Sequence, residues 1–471
     1  MPGLSFPARR FNAADQERFA RLSGDWNPMH MDPVAARRTQ PGAPVVHGVH
    51  LALWTLDTLI GTGVVRGPVA SVAAVFNKFV YLDTPAVIRV IQASNDTVEA
   101  VVSAAGVDTT TITIGLGPEG APADSAFDQP PVVTQGTAPN VPDLAAMSKQ
   151  SGWIEPEGDD AMFPHAAAVL GARRVDAIAL SSRLVGMLYP GLHSVFGSLE
   201  VAVVPEHDRP GLGFQVAMAN VRTRLLRMSI AGSGIAGTVI AFARREAVRQ
   251  PDISDIVALV APDAFAGACA LVTGGSRGLG ALTAKILAAG GANVVVSYAM
   301  GREDADTVAA EINAFVGREA CTTLRYDMMA DATGQLAGVE GVTHLYHFAS
   351  PRIYRQKAAL FDATVFGEFT RAYLGSFYEL CVALRPDVAF YPSSVFVEPG
   401  RPRDMTEYAM IKAAGEILCE EMSQTEGFPR VISRRLPRML TDQTATLARV
   451  ATDDALATMV PVVKDVQGTA A

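Results

Sequence analysis

The stretch Leu271-Val-Thr-Gly-Gly-Ser-Arg-Gly-Leu-Gly280 constrains the fold of this chain more than any other. It joins an apolar run at 268–273 to a helical pattern at 279–289, and Gly274, Gly278 and Gly280 follow the spacing Gly-x3-Gly-x-Gly. Without side chains there, the backbone can turn tightly, pack helix on strand, and let a pyrophosphate approach its N–H groups. On these grounds Gly274, Ser276, Arg277, Gly278, Leu279 and Gly280 are candidate cofactor-binding residues. The alternation continues with strands at 293–298, 322–326, 344–348 and 388–391 and helices between them, including 304–315. That rhythm implies an α/β doubly wound parallel sheet.

The region before residue 250 follows another rhythm. An amphipathic helix at 14–24 turns Phe19 and Leu22 to one face. An apolar stretch at 47–60 suits a buried helix, and Val, Thr and Ile then recur in strand-like runs at 86–92, 98–104 and 109–115. A Pro/Ala/Asp/Gly-rich segment, 118–145, reads as a linker. The pattern then repeats, with a helix at 175–189 and strands at 198–204, 213–219, 221–230 and 238–243. The expected domains are therefore 1–118, 145–250 and 265–471, the second an approximate duplicate of the first. With 49% apolar and 18% charged residues, the 471-residue chain can supply several cores. A net charge of −9 argues against nucleic acid as a partner. The four cysteines, Cys269, Cys321, Cys381 and Cys419, have no metal or redox spacing, so no metal is expected. No signal peptide and no membrane span are legible, and a cytoplasmic location is expected.

The string Leu22-Ser-Gly-Asp-Trp-Asn-Pro-Met-His30 carries chemistry. Pro28 forbids a straight helix through it, so Asp25 and His30 can turn into one space. A carboxylate and an imidazole converging on a water suit hydration of an enoyl thioester: one takes a proton from water while the other supplies one to the α-carbon. Asn27 could orient the water or the aspartate. Gly48, after His47, permits approach of a thioester carbonyl to backbone N–H groups at a helix N-terminus. The whole string, from Phe19 through His30 to Ala36, resembles the signature of the MaoC-like R-specific enoyl-CoA hydratases, and the resemblance covers residues 11–116. It implies a hot-dog fold, an antiparallel sheet around a central helix, with Asp25 and His30 catalytic and Asn27 and Gly48 supporting. The second repeat lacks this string. Its His165 and His193 read as structural, and Leu184-Val-Gly-Met187 and Pro190-Gly191 resemble MaoC-like double hot-dog proteins. An α+β double hot dog with one active site is expected.

Tyr408-Ala-Met-Ile-Lys412 places a phenol and an ammonium one helical turn apart. A nearby ammonium lowers a phenol's pKa and makes proton exchange with a carbinol feasible. Ser393 or Ser394, 14–15 residues upstream, could bind the carbonyl oxygen. Together with the glycine loop, Ser394, Tyr408 and Lys412 resemble the short-chain dehydrogenase/reductase family, which implies a Rossmann-like sheet and a catalytic role for these three. Asp327 then matches the family's adenine-contacting aspartate, and Phe348-Ala349-Ser350 its strand-four motif beside the cofactor. The second strand ends Val296-Ser297-Tyr298 without an acid for the ribose hydroxyls, while Arg277 and Arg302 could pair with a 2′-phosphate, so NADP(H) is favoured over NAD(H). Two departures stand out. The 365–385 helix offers Tyr373 and Ser376 but lacks the family's relay asparagine, and only 59 residues follow Lys412.

Jointly the modules imply reduction of a 3-oxoacyl thioester to the 3R-hydroxyacyl thioester and its reversible dehydration to the trans-2-enoyl thioester. The carrier would be coenzyme A or acyl carrier protein, and the assembly a homodimer. Two alternatives remain: the oxidative direction with NAD, or a hydratase joined to a nucleotide-binding scaffold without activity.

Overall fold

The computed structural model describes residues 3–121, 131–133, 138–158, 161–206, 209–445 and 450–469. The chain forms two compact units, the first reaching Glu246 and the second beginning at Ala247.

The first unit is built on one ten-stranded antiparallel sheet. Strands Pro85–Ala93, Thr97–Ala104, Val107–Leu116 and Val69–Phe76 come from the first repeat. Strands Ser194–Val203, Ile235–Ala243, Leu225–Gly232 and Leu212–Asn220 come from the second. The repeats join where Val69–Phe76 pairs with Ser194–Val203, Ser71 opposite Ala202 through Val75 opposite Ser198. Short edge strands, Arg9–Arg10 and Ser151–Ile154, finish the sheet. Helices Gly48–Gly61 and Ala172–Arg183 are largely buried, and residues of both repeats share one apolar core. The second helix continues as a π-helical turn, Leu184–Leu188. Part of the 118–145 linker, 122–130 and 134–137, lies outside the described residues. Within the rest, Leu144–Met147 makes a 3₁₀ turn and Val132 bridges to Trp153.

The second unit holds a six-stranded parallel sheet. Its spatial order is Cys321–Arg325, Asn293–Tyr298, Cys269–Thr273, His344–His347, Val388–Ser394, Arg430–Leu436. In sequence rank this is 3-2-1-4-5-6, the doubly wound order that reverses between the first and fourth strands. Alternate residues of Cys269–Thr273 enter opposite cores. Ala270 and Val272 pack with helices Gly278–Ala289, Arg302–Val316 and Ala455–Val466. Leu271 packs with Phe377, Leu380, Cys419 and Met422 from the other face. The stretch left between the expected domains, 251–264, is partly core: Ile253, Ile256 and Val260 are buried. No helix among the described residues is long and apolar enough to cross a membrane.

Candidate active sites

In the first unit, helix Ala13–Ser23 starts at a reciprocal Asn12/Asp15 capping box and ends at Gly24 in the left-handed region. That turn delivers Asp25 into the interior, where it is 2% exposed. Asn27 caps the short helix Pro28–Met31, its Oδ1 accepting from the Met29 N–H at 3.0 Å. Its Nδ2 donates to the carbonyls of Gly186 at 2.7 Å and Gly191 at 3.2 Å. The Asp25 carboxylate accepts from the Asn27 N–H at 3.1 Å and from Ser182 Oγ at 2.7 Å. A Cβ on Gly186 would stand 2.2 Å from Asp25 Oδ1, so only glycine leaves room for the carboxylate. Ser182, Gly186 and Gly191 belong to the second repeat, which thus supports an aspartate of the first.

His30 donates its Nδ1–H to the Val45 carbonyl at 2.8 Å, which leaves the Nε2 lone pair free. Its ring stacks on His47, centroids 3.9 Å apart. Asp25, His30 and His47 each offer a ligand-type atom within 4.8 Å of the others. His47 Nε2 is 3.1 Å from the Asp25 carbonyl oxygen, which can only accept, so that nitrogen carries the proton. Burial pushes the Asp25 carboxyl up against the opposing pull of His30. Burial also pushes His30 and His47 down, which keeps both imidazoles neutral at pH 7.

Asp25, His30, Gly48 and Ser182 line a cavity of about 540 Å³, whose apolar walls come from Val75 and Phe76 of one repeat and Phe196 and Phe242 of the other. Helix Gly48–Gly61 has no side-chain cap at its N-terminus, so its first N–H groups remain available beside the cavity. Thr110 Oγ1, also on the lining, has no partner. Neither His165 nor His193 lines this cavity. His165 is exposed and packs on Gly61, its N–H bonded to Asp57.

In the second unit the glycine loop lies where the strand order reverses. Gly274 has φ 65°, and a Cβ there would meet the Ala349 nitrogen at 2.8 Å. A Cβ on Gly280 would meet the Gly274 carbonyl oxygen at 2.3 Å. Gly278, with φ 57°, would bring a Cβ no closer than 3.9 Å to Thr441 Cγ2 and begins helix Gly278–Ala289, whose N-terminus has no side-chain cap. An uncapped helix N-terminus behind a side-chain-free turn fits a dinucleotide pyrophosphate. Ser276 is buried, and Leu279 packs against the core. The Gly274 N–H is held by Ser297 Oγ at 3.1 Å. Arg277 is ion-paired with Asp442 at 3.1 Å, whereas Arg302 pairs with Asp306 at 3.3 Å on an exposed face. Asp327 is exposed just past Cys321–Arg325 and accepts from the Met329 N–H.

Ser394, Tyr408 and Lys412 also come together. Ser394 lies near enough to the Tyr408 phenol to oppose part of the upward push of burial, and its Oγ accepts from the Phe396 N–H at 3.2 Å. Lys412 Nζ donates to the Pro392 carbonyl at 2.7 Å and sits 4.0, 4.8 and 5.6 Å from the ring centroids of Tyr373, Tyr391 and Tyr408. The electrostatics differ from the expectation. Burial dominates, raising the Tyr408 phenol and lowering the Lys412 ammonium to about 7. Ser393 is turned away, bonded to Glu416 at 2.5 Å. Tyr373, on the π-helical turn Thr370–Gly375, shares a 2.6 Å hydrogen bond with Ser350, and Ser376 pairs with Tyr326.

Comparison with known proteins agrees with this division. Residues 4–111 match the MaoC-like domain and residues 268–346 the short-chain dehydrogenase. An (R)-specific enoyl-CoA hydratase of Aeromonas caviae is 49% identical over 45 residues, 10% of this chain and 34% of that protein. An NADPH-dependent aldehyde reductase-like protein, chloroplastic, of Arabidopsis thaliana is 48% identical over 61 residues, 13% of this chain and 23% of that protein. The chain thus spans about a third and a quarter of those relatives' lengths. A short-chain dehydrogenase structure from Shigella flexneri is 19% identical, covering 43% of this chain and 86% of its own, with TM-score 0.36. The chain carries a MaoC-like domain at its N-terminal end and, after it, a short-chain dehydrogenase domain.

Proposed function

We propose that this chain is a bifunctional acyl-thioester enzyme. Its first unit is a double hot dog, each repeat folding its part of the sheet around a helix, that interconverts a 3R-hydroxyacyl and a trans-2-enoyl thioester. Its second unit reduces a 3-oxoacyl thioester with NADP(H). The observation that carries the reading is the meeting of Asp25 and His30 on the wall of a 540 Å³ apolar cavity, a size that suits an acyl chain.

In hydration, the bare Nε2 of His30 takes the proton from water as the oxygen attacks the β-carbon. The Asp25 carboxyl, whose burial favours its protonated form, supplies the proton to the α-carbon. The first-turn N–H groups at Gly48 stabilise the enolate oxygen. Dehydration reverses each transfer. A methyl group at 186 would push the Asp25 carboxylate aside, and such overpacking costs about 1–3 kcal/mol. Gly186→Ala is accordingly expected to lower Tm and to depress hydration of crotonyl-CoA. Normal rates in that variant would show that the carboxylate needs no such placement.

In the second unit, bound NADPH would supply a hydride to the substrate's carbonyl carbon. Ser394 would hold the carbonyl oxygen, and Tyr408 would give it a proton. Lys412, without a carboxylate partner among the described ion pairs, would favour the tyrosinate that results. The 2′-phosphate preference rests on Arg277, held at the glycine loop by Asp442, and on a second strand ending without an acid. Loss of a charge-assisted hydrogen bond costs about 1.5–3 kcal/mol, roughly 10–100-fold in affinity. Arg277→Ala is expected to weaken NADPH binding by that factor and to leave NADH binding nearly unchanged. Fluorescence titration with both cofactors tests this, and tighter NADH binding by the wild type would favour the oxidative alternative.

A further inference from the structure

Gln16 is a polar side chain at a position that the core claims: it is 1% exposed, on the inward face of helix Ala13–Ser23. Its Oε1 has no partner, which makes the residue costly to bury compared with an apolar one of the same size. Its Nε2 is 3.0 Å from the Val45 carbonyl oxygen and 3.1 Å from His47 Nδ1. These contacts determine a chain of protons. A carbonyl oxygen can only accept, so the amide atom facing Val45 is the NH2 group. The same group faces His47 Nδ1, which must then be the acceptor. The His47 proton therefore sits on Nε2 and is donated to the Asp25 carbonyl at 3.1 Å. The Val45 carbonyl that receives Gln16 also receives His30 Nδ1–H at 2.8 Å.

From this geometry we infer that Gln16 is a positioning residue that sets the tautomers of two stacked histidines, holding His47 as the Nε2–H form and anchoring the carbonyl that keeps His30 Nε2 bare. It does not itself line the cavity, although the Val45 it bonds does, and it does not reach Asp25 or His30 directly. Its effect passes through His47 and Val45 to Asp25 and His30. The inference rests on the hydratase reading of that pair.

The test uses the full chain labelled with ¹⁵N-histidine, together with crotonyl-CoA hydration followed across pH. Wild type is expected to show His47 as the Nε2–H tautomer and His30 as Nδ1–H, both neutral at pH 7. In Gln16→Met the side chain keeps its length and loses its donor. The His47 resonances should then show a mixture of tautomers, since only the Asp25 carbonyl still selects Nε2–H, and kcat should fall about 10-fold with KM nearly unchanged, a part of the ~10²–10⁴ that a placed acid or base contributes. In Gln16→Glu a carboxylate faces Nδ1 and favours a proton there, so the acid limb of kcat should move to higher pH. A residue that only filled space would change Tm without moving the tautomers or the pH profile. Wild-type His47 protonated on Nδ1 would overturn the proposal even if neither variant folds. So would variants that fold and leave both the histidine spectrum and the pH profile unaltered. Loss of the hydratase reading is a separate result: wild type that never hydrates crotonyl-CoA removes the activity while the tautomer measurement still stands.

Discussion

Asp25→Asn is expected to lower hydration of a trans-2-enoyl thioester by about 10²–10⁴-fold, the usual contribution of a positioned acid or base. Asparagine keeps the shape of the side chain, so the neighbours Ser182 and Gly186 need not move, and Tm should change little. What it removes is a group that can hold and release the proton for the α-carbon. His30→Ala should cause a loss of similar size by removing the bare Nε2 lone pair. The control residues are His165 and His193, since neither reaches the cavity. Alanine at those positions should leave the rate within about twofold, on the scale of surface substitutions. Steady-state hydration of crotonyl-CoA by folded variants measures all four. Near-normal rates in Asp25→Asn or His30→Ala would remove the residue from the mechanism, and a large loss at His165 or His193 would bring the second repeat into the chemistry.

Tyr408→Phe should abolish reduction of a 3-oxoacyl thioester, again by about 10²–10⁴-fold, because it deletes the phenolic proton proposed for the substrate oxygen and retains the ring. The ring matters, since Lys412 lies over a group of aromatic faces that includes it. NADPH oxidation measured beside enoyl hydration on one sample separates the modules: the variant should lose the first activity and keep the second. A variant that still oxidises NADPH with this substrate would point to another donor, and Tyr373 beside Lys412 is the nearest phenol.

Features that depend on neighbours in sequence were legible. The Asp25–His30 string, the glycine loop and the Tyr408–Lys412 pair each occupy ten residues or fewer, and the structure brings each set together. Their supports were not legible because they arrive from far along the chain. Ser182 and Gly186 lie about 160 residues beyond Asp25; Leu184-Val-Gly-Met187 stood out as resembling double hot-dog proteins, but nothing in it tied its glycine to Asp25. Gln16 interrupted the apolar face of its helix, and His47 read merely as the opening of a buried helix. Among the strands, Val69–Phe76 hid in a run of small residues, although it pairs across the two repeats. Arg430–Leu436 was masked by three arginines on an edge strand. The Tyr408–Lys412 electrostatics were misread because spacing reveals proximity, whereas burial, which sequence spacing does not reveal, dominates both groups.

The central claim is that two consecutive reactions share one chain and one intermediate. Its most direct test is product analysis after incubating the chain with a 3-oxoacyl thioester and NADPH. Wild type should yield the 3R-hydroxyacyl and trans-2-enoyl thioesters together, Asp25→Asn should stop at the 3R alcohol, and Tyr408→Phe should yield neither. Wild type that forms only the 3S alcohol, or no alcohol at all, would contradict the account.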